Sequence, residues 1–225
     1  MIAGHVHSWE LTPQQAIALQ KQLASRVQLS GELRSCRYVA GADVAYTRSD
    51  RQLVAAIVIW DREHNQVIEQ QAVRQPVWFP YIPGLLSFRE SPGVLHAWQH
   101  LQRRPDLLMV DGHGYAHPRR FGIACHLGVL LDIPTIGCAK SRLIGKHDEV
   151  PDQIGAWVPL YDGGEIVGAV LRTRRHVRPI YISVGHGLDL EQAIYWTMQC
   201  CRGYRVPEPT RLAHLLVSRA RTRPD

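Results

Sequence analysis

The sequence predicts one α/β domain, residues 1–225, built as a mixed β-sheet with helices on its faces. Three observations predict it. Three β-rich segments, Tyr38–Tyr46, Leu53–Trp60 and Val67–Val73, follow one another across short polar turns, as in an antiparallel meander. Two short apolar runs, Leu107–Val110 and Pro134–Cys138, are then separated by a helix-periodic segment, the pattern of a buried strand-helix-strand unit. The chain has 225 residues, 45% of them hydrophobic, enough for one good core and too little for two.

The elements follow in order. Thr12-Pro13-Gln14-Gln15 is a helix start: threonine caps, proline takes the first helical position, and a glutamine reaches back. Ile17, Leu19, Leu23 and Val27 continue it as an apolar stripe. Tyr38–Tyr46 (YVAGADVAY) and Leu53–Trp60 (LVAAIVIW) are strands, the second rich in β-branched residues. Asp61–Asn65 is a polar turn leading into Val67–Val73. A long excursion then carries WFPYIPGLLSFRE, Trp78–Glu90. Leu95, Trp98 and Leu101 mark a helix after it. Leu107–Val110 reads as a strand buried on both faces, Phe121, Cys125, Val129 and Leu130 as a helix, and Pro134–Cys138 as a strand. Leu188–Cys201 and Thr210–Arg219 are closing helices. No element is assigned between Cys138 and Leu188.

Composition narrows the partners. The formal net charge is +6, which favours polyanions, since cations that replace counterions on phosphates release them. Arginines cluster at 103–104, 119–120, 172–178 and 219–223; such clusters also serve as ordinary solvated surface. Five cysteines, an odd count with no C-x-x-C, argue against a disulfide framework or zinc knuckle and for buried thiols. The N-terminus lacks a basic stretch followed by an apolar one, and no apolar run approaches the ~20 residues of a membrane span. A cytoplasmic monomer with no membrane partner is expected.

Two acids stand where packing alone would not put them. Asp43 interrupts an apolar strand between Ala42 and Val44, and a buried carboxylate must be paired or metal-bound. An aspartate on the solvated face of an edge strand, or one paired with arginine, would also fit. Asp111 ends the run Leu107–Val110 and opens the loop Asp111-Gly112-His113-Gly114. Ligands of open α/β sheets bind beyond the carboxyl ends of strands. A plain Asp-Gly turn explains those two residues, but not the His-Gly and His117-Pro118-Arg119-Arg120 that follow. With Glu90 joining from the excursion, three carboxylates and no thiolate form a hard-oxygen site that favours Mg²⁺ or Mn²⁺ over zinc. On a basic chain this points to phosphodiester hydrolysis. A phosphotransferase would want a P-loop, which is absent.

GADVAY, PYIPGLLSFRE, VDGHGYAHPRRFGIACHLGVLLDIPTIGCAKSRL and GYRVPEPTRLAH closely resemble the endonuclease V family of deoxyinosine-specific nucleases, from about Gly41 to His214. The resemblance implies a ribonuclease-H-like fold and Mg²⁺-dependent DNA cleavage, with Mn²⁺ as a substitute. The nick would fall at the second phosphodiester bond 3′ to a deaminated base, chiefly hypoxanthine, leaving 3′-OH and 5′-phosphate. It implies Asp43, Glu90 and Asp111 as metal ligands, with His214 at a second metal or orienting water. Lys140 would contact the phosphate near the scissile bond. Tyr81, stiffened with Ile82 between Pro80 and Pro83, would be a wedge filling the gap left by an extruded base, although a tyrosine packed on the core fits the same pattern. The base would sit by Gly112 and Gly114, whose amides face its polar edge, with Leu86 and Ile123 as walls and His117 touching base or phosphate. An inosine-specific endoribonuclease is the alternative, since ribose differs only by its 2′-OH. A non-catalytic lesion binder is the other, and it would not need a trio of repelling acids.

Overall fold

The computed structural model describes residues 7–47 and 51–222. Helix α1 (Pro13–Ala24) starts as expected. Thr12 Oγ1 accepts from the Gln15 N–H at 3.3 Å and Gln15 Oε1 accepts from the Thr12 N–H at 2.8 Å, so two donors at the helix end are satisfied reciprocally. Val27 lies beyond its end. Strands β1 (Tyr38–Tyr46), β2 (Gln52–Asp61) and β3 (Gln66–Pro76) form the antiparallel meander. Helix α2 (Leu86–Gln99), strand β4 (Leu107–Val110), helix α3 (Ile123–Leu131) and strand β5 (Thr135–Ala139) follow. The chain closes with β6 (Trp157–Asp162), β7 (Glu165–Leu171), β8 (Ile180–His186), α4 (Leu190–Gln199) and α5 (Glu208–Thr222).

These strands make one sheet in the order β3-β2-β1-β4-β5-β8-β7-β6. β1, β4 and β5 run parallel and the remaining pairs antiparallel, the ribonuclease-H-like arrangement of a mixed sheet between helices. Strand alternation sorts the core onto two faces. Val39, Leu107, Met109, Ile136 and Cys138 point toward α4, with Leu212 of α5 packed on the same cluster. Ala40, Ala42, Leu108 and Val110 point toward α2 and α3. Cys36, Cys125, Cys138 and Cys200 are buried thiols, Cys201 is half-buried, and all five are free.

Two expectations change. Strands β6, β7 and β8 fill the region to which no element was assigned. Their signal was present: Gly163 and Gly164, both at positive φ, join Asp162 to Glu165 as a two-residue hairpin loop. β6 is an edge strand with Trp157 and Tyr161 exposed, so its alternation is weak. The second change is that α2 begins at Leu86, so Glu90 is helical rather than part of an irregular excursion. No helix of the described residues is long and apolar enough to cross a membrane.

Candidate active site

Asp43 and Asp111 meet because their strands are parallel neighbours. Ala42 pairs with Val110, and the Asp111 N–H donates to the Ala42 carbonyl at 3.1 Å. Each aspartate follows its pairing residue, so both carboxylates project from one face at the same level. β1 lies between β2 and β4, which removes the edge-strand explanation of Asp43.

A third group arrives from α5. Gly41 lies one strand repeat before Asp43, and a Cβ there would stand 2.0 Å from the Pro209 carbonyl oxygen. The absent side chain lets the start of α5 rest directly on β1. From that contact two strand residues advance ~7 Å and five helix residues ~7.5 Å, which brings His214 level with Asp43. His214 Nδ1 sits 2.7 Å from Asp43 Oδ2. Lys140, the residue after β5, forms an ion pair with Asp111 Oδ2.

Asp43, Asp111 and His214 each offer one ligand atom, all within 4.8 Å of one another. The two carboxylate side chains are only 10% and 15% exposed. Burial pushes the Asp43 carboxyl above its ordinary pKa, and the charge of Asp111 pushes it further. The His214 hydrogen bond and Lys140 pull the other way. Two crowded carboxylates and an imidazole, with no thiolate among them, suit a hard divalent cation whose charge would relieve their repulsion.

Glu90 stands apart from this group. It comes from α2, on the opposite face of the sheet, and its Oε1 accepts from Tyr46 Oη at 2.8 Å. Burial is the main cause raising its pKa to about 8; the Tyr46 hydrogen bond opposes the shift, and the charges of Asp43 and Asp111 add to it. Its carboxyl thus feels both aspartates without joining the tight cluster.

Beside the cluster lies a cavity of about 140 Å³. Seven of the residues expected around a base line it: Tyr81, Ile82, Pro83, Leu86, Gly112, His117 and Ile123. Tyr81 is 69% exposed, so it is not a core residue; Phe79 fills that role, packed with Leu85 and Phe88. Pro80 lines a separate groove with Trp78 and Phe79. Gly114 is buried behind the cavity, its N–H given to Ser183 Oγ at 2.9 Å, and the Gly112 N–H is bonded to the Val110 carbonyl. Neither glycine amide is therefore offered to a ligand as expected. Their value is room, since a Cβ on Gly114 would stand 2.1 Å from the Val184 carbonyl oxygen.

His117 also differs from expectation. Its Nε2 bonds the Gly84 carbonyl at 3.0 Å and its Nδ1 accepts from the Arg119 N–H at 3.1 Å, so both ring nitrogens are engaged inside the protein. Burial and the charge of Arg119 lower its pKa to about 4. His117, Arg119 and Gln20 all bond the Gly84 carbonyl and clasp the wedge loop to the loop after β4. Gln20 was overlooked, although a polar residue one turn from Leu23 in a buried helical stripe was a visible signal.

Comparison with known proteins places this geometry. The Endonuclease V family profile matches residues 21–215. An Endonuclease V of Gloeobacter violaceus is 53% identical over 212 residues, covering 93% of this chain and 86% of that one. The crystal structure of the Endonuclease V from Streptomyces avermitilis matches with a TM-score of 0.90 at 42% identity, covering 95% of this chain and 94% of that chain. Ciona intestinalis Endonuclease V, in complex with a 24mer DNA containing an inosine followed by a ribo-adenosine, matches at a TM-score of 0.80 and 26% identity, covering 91% and 95%. The chain belongs to the Endonuclease V family, and with it to the endonucleases.

Proposed function

We propose that the protein is a DNA-repair endonuclease that recognises deaminated bases, chiefly deoxyinosine. It hydrolyses the second phosphodiester bond 3′ to the lesion and leaves 3′-OH and 5′-phosphate. Mg²⁺ is the proposed cofactor, with Mn²⁺ as a substitute, held by Asp43, Asp111 and His214. One observation carries this reading: Asp111 belongs to the acidic cluster while the next residue, Gly112, lines the cavity. A base held in the cavity keeps its own backbone beside the carboxylates. The Ciona relative's complex with inosine-containing DNA supports the choice of ligand.

The residues divide the work. A divalent ion held at the cluster would lower the pKa of a bound water and neutralise charge on the phosphate. Asp43 and Asp111 supply the negative charge that would hold it, and His214, its Nδ1 2.7 Å from Asp43 Oδ2, supplies the third ligand atom beside them. Lys140, next to Asp111, stabilises charge developing at the scissile phosphate. Glu90, behind the pair, answers to the net charge of the cluster, and its carboxyl ionises more readily when that charge is neutralised. Tyr81, held out by Pro80 and Pro83, stacks in the gap left by the extruded base. Ile82, Leu86 and Ile123 form apolar walls.

The test is nicking of matched inosine-DNA and inosine-RNA strands with Mg²⁺, then with EDTA. Cleavage of the DNA strand that stops in EDTA supports the proposal, and cleavage that persists in EDTA overturns the metal assignment. The second reading, an inosine-specific endoribonuclease, is favoured by the ribonucleotide that follows inosine in the Ciona complex. Cleavage confined to the RNA strand would select it.

A further inference from the structure

We propose that Trp78 and the groove it lines hold the base that faced the lesion, once extrusion of the lesion has left that base without its pair. This rests on the function proposed above and extends it to the second strand of a duplex. Trp78 is 77% exposed, the most exposed large apolar side chain of the described residues. So large an apolar surface left in water is unfavourable and marks a site of contact. The loop is able to bury an aromatic ring, since the next residue, Phe79, is in the core.

The tryptophan is displayed on an anchored backbone. Before it, the Val77 N–H donates to the Arg51 carbonyl at 3.0 Å, and Val77 packs against the core that α2 shares with the sheet. After it, Phe79 packs with Leu85 and Phe88, and the Phe79 carbonyl accepts from Arg89 Nη1 at 2.8 Å. Pro80 then stiffens the chain. With both neighbours fixed, the indole loses little freedom when a base stacks on it.

The groove has a volume of about 490 Å³. That lies within the about 300–1,000 Å³ of small-ligand clefts. Trp78, Phe79 and Pro80 line it together with Phe88, Arg89 and Pro92 of α2. It shares no lining residue with the cavity beside the acidic cluster. The two are nevertheless consecutive in the chain, since Pro80 lines the groove and Tyr81 lines the cavity. The wedge loop therefore stands between them. A tyrosine inserted where the lesion stood lies between the lesion and its former partner. With the lesion in the cavity, the partner base is left on the groove side of the wedge.

The lining suits a nucleotide. An indole flanked by phenylalanine and proline offers flat apolar surface for stacking. Stacking reads no base edge, so it serves whichever base faces the lesion. Arg89 on the wall, and Arg51 exposed opposite Val77, supply positive charge for the phosphates beside that base. Among the described residues Glu10 is the one acid on the wall, and it is solvent-exposed.

The experiment is single-turnover nicking by the full chain, with Mg²⁺, of inosine duplexes that carry either thymine or an abasic residue opposite the inosine. Trp78→Ala should raise the half-saturating protein concentration about tenfold on the thymine duplex, within the worth of one stacked base. Trp78→Tyr should recover most of that loss, and no recovery overturns stacking as its cause. With the abasic residue opposite, Trp78→Ala and wild type should agree within about twofold, because the base that the indole holds is gone. An unchanged concentration on the thymine duplex overturns the inference and leaves the groove to a protein partner or a second copy of the chain. An equal loss on both duplexes also overturns it, because the indole would then serve the lesion strand or the fold. In both cases wild-type nicking leaves the proposed function standing. A wild type that nicks no inosine strand overturns the proposed function, and this inference with it.

Discussion

Gly41→Ala tests how the fold delivers His214. The new Cβ would lie 2.0 Å from the Pro209 carbonyl oxygen and 2.7 Å from the Thr210 amide nitrogen. Both neighbours are backbone, so no side chain can swing aside. Restoring ordinary contact requires the start of α5 to retreat by about 1.4 Å. A rigid retreat would take His214 Nδ1 from 2.7 Å to about 4 Å from Asp43 Oδ2, beyond hydrogen-bond reach. Overpacking of this kind costs about 1–3 kcal/mol of stability, read as a shift in the urea midpoint. Misplacing a catalytic group by about 1 Å can cost about a hundredfold in rate, read by single-turnover nicking of an inosine strand. The double variant with His214→Ala separates the causes. If the glycine acts by positioning His214, adding Gly41→Ala to His214→Ala lowers the rate little further. Wild-type nicking by Gly41→Ala, or full additivity in the double variant, would mean that the glycine does not act by positioning His214.

Other perturbations give distinct outcomes. Asp111→Asn should abolish nicking while binding of an inosine strand, followed by fluorescence anisotropy, survives; nicking that persists with Mg²⁺ contradicts the metal assignment. Tyr81→Ala should weaken lesion binding by about 1–3 kcal/mol, the worth of one stacked base. It should leave the melting temperature nearly unchanged, because the side chain is 69% exposed. His117 makes stability fall in acid. Its folded pKa is lowered to about 4, so the unfolded chain binds the proton first. Its contribution is whole above pH ~6.5 and is lost as pH falls toward ~4, at up to ~1.4 kcal/mol per pH unit. Denaturant titrations across that window should show a shallower slope for His117→Gln than for wild type.

The two aspartates were legible because each breaks a local pattern. Asp43 interrupts an apolar strand, and Asp111 ends a buried one just before glycines. Parallel pairing of β1 with β4 was enough to bring them together. The meander and the α1 capping box were legible for the same reason, since short-range chemistry decides them. Which face a group reaches was not legible. Glu90 and Asp43 lie on opposite sides of the sheet, and only the packing of α2 against one face and α5 against the other decides that. Hydrogen-bond partners of loop atoms were equally hidden. The Gly114 amide is taken by Ser183, a residue of β8, a strand the sequence reading did not assign. The Gly163-Gly164 turn is a different case, a local signal that was overlooked.

Anomalous diffraction from crystals soaked in Mn²⁺ decides whether Asp43, Asp111 and His214 share one divalent ion. A peak is expected within coordination distance of a carboxylate oxygen from each aspartate and of a His214 ring nitrogen, lost in Asp111→Asn. A strong peak elsewhere, with none between Asp43 and Asp111 in a protein that still nicks inosine strands, would mean that these residues do not hold the ion.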